Sequence, residues 1–104
     1  MPLAAETCQP DAAALTAVET EMLSTELNDW LLLNDTLEKT FRFKSFHATM
    51  AFANAVAWIA HQQDHHPDLE VSYGRCKLIW CTHSANGLTR NDFICAARVD
   101  ALRA

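Results

Sequence analysis

The chain has 104 residues, 50% of them apolar and 20% charged, with a formal charge of −5 at pH 7. That length supports one modest core and not two. Its eight basic residues are scattered among 13 acidic ones, which excludes the basic stripe a phosphate backbone needs, so direct nucleic-acid binding is not expected. The stretch MPLAAETCQPDAAALTAVETEM has neither a basic leader nor a long apolar run, so no signal peptide and no membrane span is expected. Cys8, Cys76, Cys81 and Cys95 form no CxxC pair, which suits reduced thiols in a cytoplasmic protein, Cys76 and Cys95 being read as small core or interface residues.

Residues 1–11 read as a loose leader around Pro2 and Pro10, ahead of a single domain over 12–104. A first helix is expected from about Ala12 to Asn28, with Val18, Met22, Leu23 and Leu27 on one face. WLLL, Trp30 to Leu33, reads as a short strand closed by an Asn34-Asp35 turn. TLEKTFRFK then alternates: Leu37, Phe41 and Phe43 fall on one side, with Lys39 the exception, and polar residues on the other. That is a half-buried antiparallel strand. Ser45 is a credible N-cap for FHATMAFANAVAWIAHQQ, whose wide apolar stripe (Phe46, Met50, Ala53, Ala57 and Ala60, with Phe52, Val56 and Ile59 beside it) suits a helix lying across a sheet. Pro67 disfavours helical backbone at His66 and stops this helix at or before the histidine pair. LEVSY and CKLIWCTH read as two further strands. In the second, Cys76, Leu78 and Trp80 face one way while Ile79 and Cys81 face the other, so the strand is expected to be covered on both sides, as an oligomer interface would cover it. Thr89 and Asp92 resemble a capping box at the start of a last helix carrying Ala96, Val99 and Leu102. The order α-β-β-α-β-β-α gives an α+β sandwich.

HQQDHHPDL, residues 61–69, crowds three histidines and an aspartate into six positions. His61 and His65 have the i, i+4 spacing of a helical zinc pair, with Cys81 or His83 as further ligands. Position 62 is Gln, however, so the glutamate of an HExxH site is absent. Helix-end histidines also interact with the last carbonyls and the macrodipole, the ordinary reading for His61 and His47. The third reading is proton transfer, with His65, His66 and His83 gathered around one small molecule at the rim of a sheet and Asp64 orienting an imidazole. Neither Ser72 nor Ser84 lies in a nucleophile elbow, and no Gly-rich loop is present to hold phosphate.

The order W…TFRFKSF…A…DHHPDLEVSY…CTH…NGLTRNDF…AARVD resembles the pterin-4a-carbinolamine dehydratase family from about Ala12 to Leu102. His65-His66-Pro67, Tyr73, His83 and Asp92 stand at fixed offsets that carry the resemblance. It implies helices packed on one face of a four-stranded antiparallel sheet. It also implies dehydration of 4a-hydroxytetrahydrobiopterin to quinonoid dihydrobiopterin, recycling the product of aromatic amino-acid hydroxylases without metal or organic cofactor. Carried over by position, His65, His66 and His83 are the catalytic residues. The pterin-contacting positions match Asp64, His65, His66, Cys81, Thr82, His83 and Ser84, and the family tryptophan matches Trp30. Ser84 stands where relatives often carry an acid, Cys81 where Ser or Thr is common, and His61 where Glu or Lys is frequent. The two apolar faces of the CKLIWCTH strand predict a homodimer or homotetramer, and the resemblance adds the alternative of a dimerisation cofactor for a homeodomain transcription factor, which would put the protein in a nucleus as well as the cytoplasm.

Overall fold

A computed structural model describes residues 2–103, so the outer bounds expected at Met1 and Ala104 lie outside it. The leader is not loose where it is described. Residues Leu3–Ala5 make one 3-10 turn, and Leu3 is 3% exposed within the core. The first helix, α1, spans only Ala17–Ser24. Thr16 caps it in a capping box with Glu19, and Leu15 donates instead to the Leu88 carbonyl at 2.8 Å, so the residues before Thr16 belong to a loop contact. Leu23 and Leu27 are buried, whereas Val18 and Met22 are each 66% exposed. The expected shared face fails: Leu23 is the one buried residue of α1, and Leu27 is buried beyond its end.

Strands β1 (Leu31–Leu33) and β2 (Thr36–Arg42) form a hairpin through Asn34, whose φ of 51° is the left-handed conformation that Asn tolerates. Leu37 and Phe41 are buried, and Lys39 between them is explained by its partners. Its Nζ reaches Asp100 Oδ1 at 2.9 Å and lies 4.8 Å from the Phe41 ring centroid. Helix α2 (Phe46–Gln63) starts at Ser45, whose Oγ accepts from Ala48 N–H at 3.0 Å. Thr49, Phe52, Ala53, Val56, Ile59 and Ala60 are its buried residues, while Phe46, at the head of the expected stripe, is 51% exposed.

Strands β3 (Asp68–Ser72) and β4 (Arg75–Trp80) complete an antiparallel sheet in the order β1-β2-β4-β3. Residues paired across β2 and β4 share a face, so Leu37 with Trp80 and Phe41 with Cys76 present one apolar surface to α2 and α3 (Arg90–Ala101). The opposite face holds Arg75, Lys77 and Glu38, with Lys77 and Glu38 paired at 3.2 Å. The expected second apolar face of β4 is therefore reduced to Ile79, because alternate positions carry charge. β4 also ends at Trp80. Thr82 makes an isolated bridge to Gly87, and His83 opens a 3-10 turn, His83–Ala85, instead of closing the strand. Leu102 lies past the end of α3 and is 44% exposed.

Candidate active site around His65 and Asp92

The end of α2 sets the position of His65. Asp64 takes the left-handed conformation (φ 51°), its N–H donates to the His61 carbonyl, and the His65 N–H donates to the Ala60 carbonyl at 3.2 Å. This pair of bonds is a Schellman closure with aspartate in the place usually held by glycine. It turns the chain away from the helix axis, so His61 and His65 do not stay on one helical face. His61 is exposed and stacks on Trp58 at 5.4 Å, while His65 points to α3. The i, i+4 zinc pair is broken by that turn.

His65 Nε2 lies 2.6 Å from Asp92 Oδ1, and its ring is stacked on Trp80 with centroids 5.7 Å apart and planes within 9°. Asp92 is fully buried and held from its other oxygen, where Oδ2 accepts from Thr82 Oγ1 at 2.7 Å and from Thr89 N–H at 2.9 Å. Thr89 Oγ1 in turn meets Thr82 Oγ1 at 3.0 Å. One carboxylate thus caps α3, fixes the segment after β4, and orients an imidazole. Burial pulls the His65 pKa down, but the hydrogen bond to Asp92 and its charge raise it more, with Cys8 and Asp64 adding to the rise. The net shift is upward from 6.5.

The other expected site residues are distributed unevenly. His83 is exposed and follows Thr82 directly, so it is one residue from a side chain that shares Asp92 with His65. Its Nε2 is 3.5 Å from Cys81 Sγ, whose thiol is pushed up by burial and by the charges of Asp92 and Asp68. A cavity of about 300 Å³ opens here, lined by Asp35, Thr36, Cys81, Thr82, His83, Asn86 and Gly87, while His65, His66 and Asp64 lie outside that lining. His66, Asp64 and Ser84 are exposed. Trp30 is at the other end of α3: its Nε1 donates to Asp100 Oδ2 at 2.9 Å, two turns or about 12 Å along the helix from Asp92. A larger cavity of about 740 Å³ near that end is lined by Lys39, Arg42, Asp100 and Arg103 among others and contains no histidine. Asp92 entered the sequence reading as a helix cap and as one of the fixed offsets behind the family resemblance, but not among the expected site residues. Its second role has no local signal, since its partners lie 27 and 10 residues away.

The family model for pterin 4 alpha carbinolamine dehydratase matches residues 13–102. A Nitrosospira multiformis protein provisionally named for that dehydratase is 46% identical over 96% of this chain and 91% of its own length. One from Chromobacterium violaceum, named likewise, is 56% identical over 79% of this chain and 75% of its own. Among solved structures, a transcriptional coactivator/pterin dehydratase from Brucella melitensis superposes with a TM-score of 0.83 at 29% identity, covering 88% of this chain and 99% of that one. A pterin dehydratase-like RuBisCO assembly factor of the alpha-carboxysome gives 0.60 at 25% identity, over 73% of this chain and 88% of its own. Sequence match over nearly the whole length and the shared sheet-and-helix architecture agree: this chain is a member of the pterin-4a-carbinolamine dehydratase family.

Proposed function

We propose that the chain is an enzyme that dehydrates 4a-hydroxytetrahydrobiopterin to quinonoid dihydrobiopterin, with His65 and His83 as the acid–base pair and His66 holding the substrate. The observation that carries this is the buried Asp92 bonded to His65, an arrangement that raises the imidazole's pKa and favours its protonated form. In the reaction the C4a–O bond breaks as a proton reaches the departing hydroxyl. A ring N–H gives up its proton, and its electron pair forms the C=N bond. Each assisted transfer is worth roughly two to four orders of magnitude in rate. Asp64, Cys81, Thr82 and Ser84 flank these histidines in the chain and supply further contacts to the pterin. The reaction needs no resident metal or organic cofactor, since both proton movements fall to imidazoles.

A family member bearing the coactivator name makes a docking role the second reading. A docking surface has no use for a buried carboxylate that raises the pKa of an imidazole, which favours chemistry. Assay of the wild type beside His65→Ala with His83→Ala separates the two readings. Activity lost by a hundredfold or more in a folded double variant supports the enzyme, and full activity refutes the assignment. A homodimer or homotetramer is part of the same proposal, supported by β3, an edge strand exposed along all five residues, with Leu69 and Val71 each 39% exposed. A monomer by light scattering at micromolar concentration refutes it. No helix among the described residues is long and apolar enough to cross a membrane.

A further inference from the structure

Residues 3–9 form a strap bound along α3 by contacts of several kinds. Leu3 is buried in the core, Glu6 accepts from Arg90 Nε and Nη2 at 2.7 Å each, and its carbonyl accepts from Arg98 Nη2 at 2.6 Å. Gln9 and Asn91 exchange two hydrogen bonds, at 2.9 and 2.8 Å. Within this strap Cys8 Sγ lies 3.6 Å from Cys95 Sγ, across 87 positions of sequence. That is van der Waals contact between two sulfurs, and a disulfide requires them to approach to about 2.05 Å. Cys95 is fixed in α3 and fully buried, whereas Cys8 is half-buried on an extended segment, so Cys8 is the partner able to close the gap.

We propose that Cys8 and Cys95 are a reversible redox pair, converted by hydrogen peroxide to an intramolecular disulfide that staples the strap to α3 beside the His65–Asp92 pair. Two further features suit the chemistry. Cys8 is the more exposed of the two sulfurs, and its contact with Cys95, assisted by the charges of His65 and Arg98 and opposed by Asp92 and burial, lowers its thiol below the ordinary range, so Cys8 is the nucleophile. Cys95 is fully buried and is held above the ordinary range by that same contact and by burial, so it is the resolving thiol. The Cys8 thiolate attacks one peroxide oxygen, the O–O bond breaks, and Cys8 becomes a sulfenic acid as hydroxide leaves. The Cys95 sulfur then attacks the sulfenic sulfur, the S–O bond breaks, and the Cys95 proton leaves with the oxygen as water. Two thiols lose two electrons to one peroxide, and a dithiol reductant returns them. Selectivity follows from exposure and ionisation: Cys76 is fully buried, and burial pushes both the Cys76 and Cys81 thiols up. The staple also reaches the proposed site, because the Cys8 N–H donates to Gln63 Oε1 at 2.8 Å, at the last residue of α2 before Asp64 and His65.

The test uses the full chain, reduced, desalted and exposed to a few equivalents of hydrogen peroxide, then denatured and capped with N-ethylmaleimide. Intact mass is expected to show two maleimide adducts instead of four, restored to four by dithiothreitol. Tryptic digestion is expected to join residues 1–39 to residues 91–98, which contain Cys8 and Cys95 respectively. Cys8→Ser and, as a second variant, Cys8→Ala should abolish the linked peptide. The oxidised wild type should melt roughly 5–15 °C higher, with about tenfold or slower amide exchange in the strap. Oxygen adducts on Cys8 without pairing, dimers on a non-reducing gel, a disulfide through Cys76 or Cys81, four intact thiols, or a linked peptide without slower strap exchange each overturns the proposal.

Discussion

Replacing Asp92 by Asn tests the site at its centre with almost no change of shape. The carboxylate serves three donors with two oxygens: His65 Nε2 on one, Thr82 Oγ1 and Thr89 N–H on the other. Asparagine has one oxygen and one amide group. Keeping the oxygen toward Thr82 and Thr89 turns the NH2 toward His65, which can accept from it only when neutral. Flipping the amide instead leaves the buried Thr89 N–H facing a donor. Losing a charge-assisted bond costs about 1.5–3 kcal/mol and weakening the acidic N-terminus of α3 about 0.3–1 more, so the variant should lose roughly 2–4 kcal/mol. Domains of this kind are stable by about 5–15 kcal/mol, so it should remain folded.

The pH dependence of that loss is the sharper measurement. In the wild type the folded pKa of His65 lies above 6.5, so its contribution to stability is complete below pH 6.5 and disappears as pH rises through the folded value. In Asp92→Asn burial becomes the dominant influence, the folded pKa falls, and charging His65 at low pH opposes folding. The stability difference between the two proteins should therefore be largest below pH 6.5 and shrink toward alkaline pH. Urea unfolding from about pH 5.5 to 8.5 gives that difference, in which carboxylates common to both proteins cancel, and the imidazole NMR titration of His65 should move to lower pH. A difference that stays flat across this range, or an unmoved His65 titration, refutes the assignment of Asp92 as the residue that raises the His65 pKa.

Three further outcomes follow from the same coordinates. Trp30→Phe keeps the ring against Phe41 but loses the bond to Asp100, and should lower unfolding stability by about 1–2 kcal/mol in urea melts. Asp64→Gly relieves a left-handed aspartate at the helix end and should raise stability by up to about 1 kcal/mol, while removing a carboxylate beside His65 should lower that imidazole's pKa by NMR. Ser45→Ala removes the oxygen that accepts from Ala48 and should cost about 1 kcal/mol, read as a lower urea midpoint at unchanged slope.

Much of the architecture was legible because its signals are local. Ser45 and Pro67 bracket α2, and alternation in β2 assigned Leu37 and Phe41 to the core without reference to any partner. Three readings failed where distant contacts override local pattern. α1 begins only after the Thr16 cap because Leu15 is claimed by Leu88, 73 positions on. β4 ends at Trp80, short of the Cys81-Thr82-His83 extension expected for it, because Thr82 is drawn to Asp92. The leader looked loose because the residues that anchor it, Arg90, Asn91, Cys95 and Arg98, lie at the far end of the chain.

The candidate site shows the same division. Composition pointed to the histidines, yet nothing in the letters separates His65 from His66, which are adjacent and identical. The separation is made by backbone geometry: the left-handed turn at Asp64 sends one ring inward to Asp92 and Trp80 and leaves its neighbour exposed. Once turned inward, His65 needs both a face to pack on and a counter-charge, because a buried imidazolium without a partner would neutralise. Trp80 supplies the first from the sheet and Asp92 the second from α3. The same carboxylate already had to cap α3 and hold Thr82, so a change that loosens His65 also loosens the segment carrying His83. That buried carboxylate ties His65 to the segment that carries His83, so on the proposed reading the effects of His65→Ala and His83→Ala on dehydratase activity should be non-additive in the presence of Asp92 and closer to additive in Asp92→Asn.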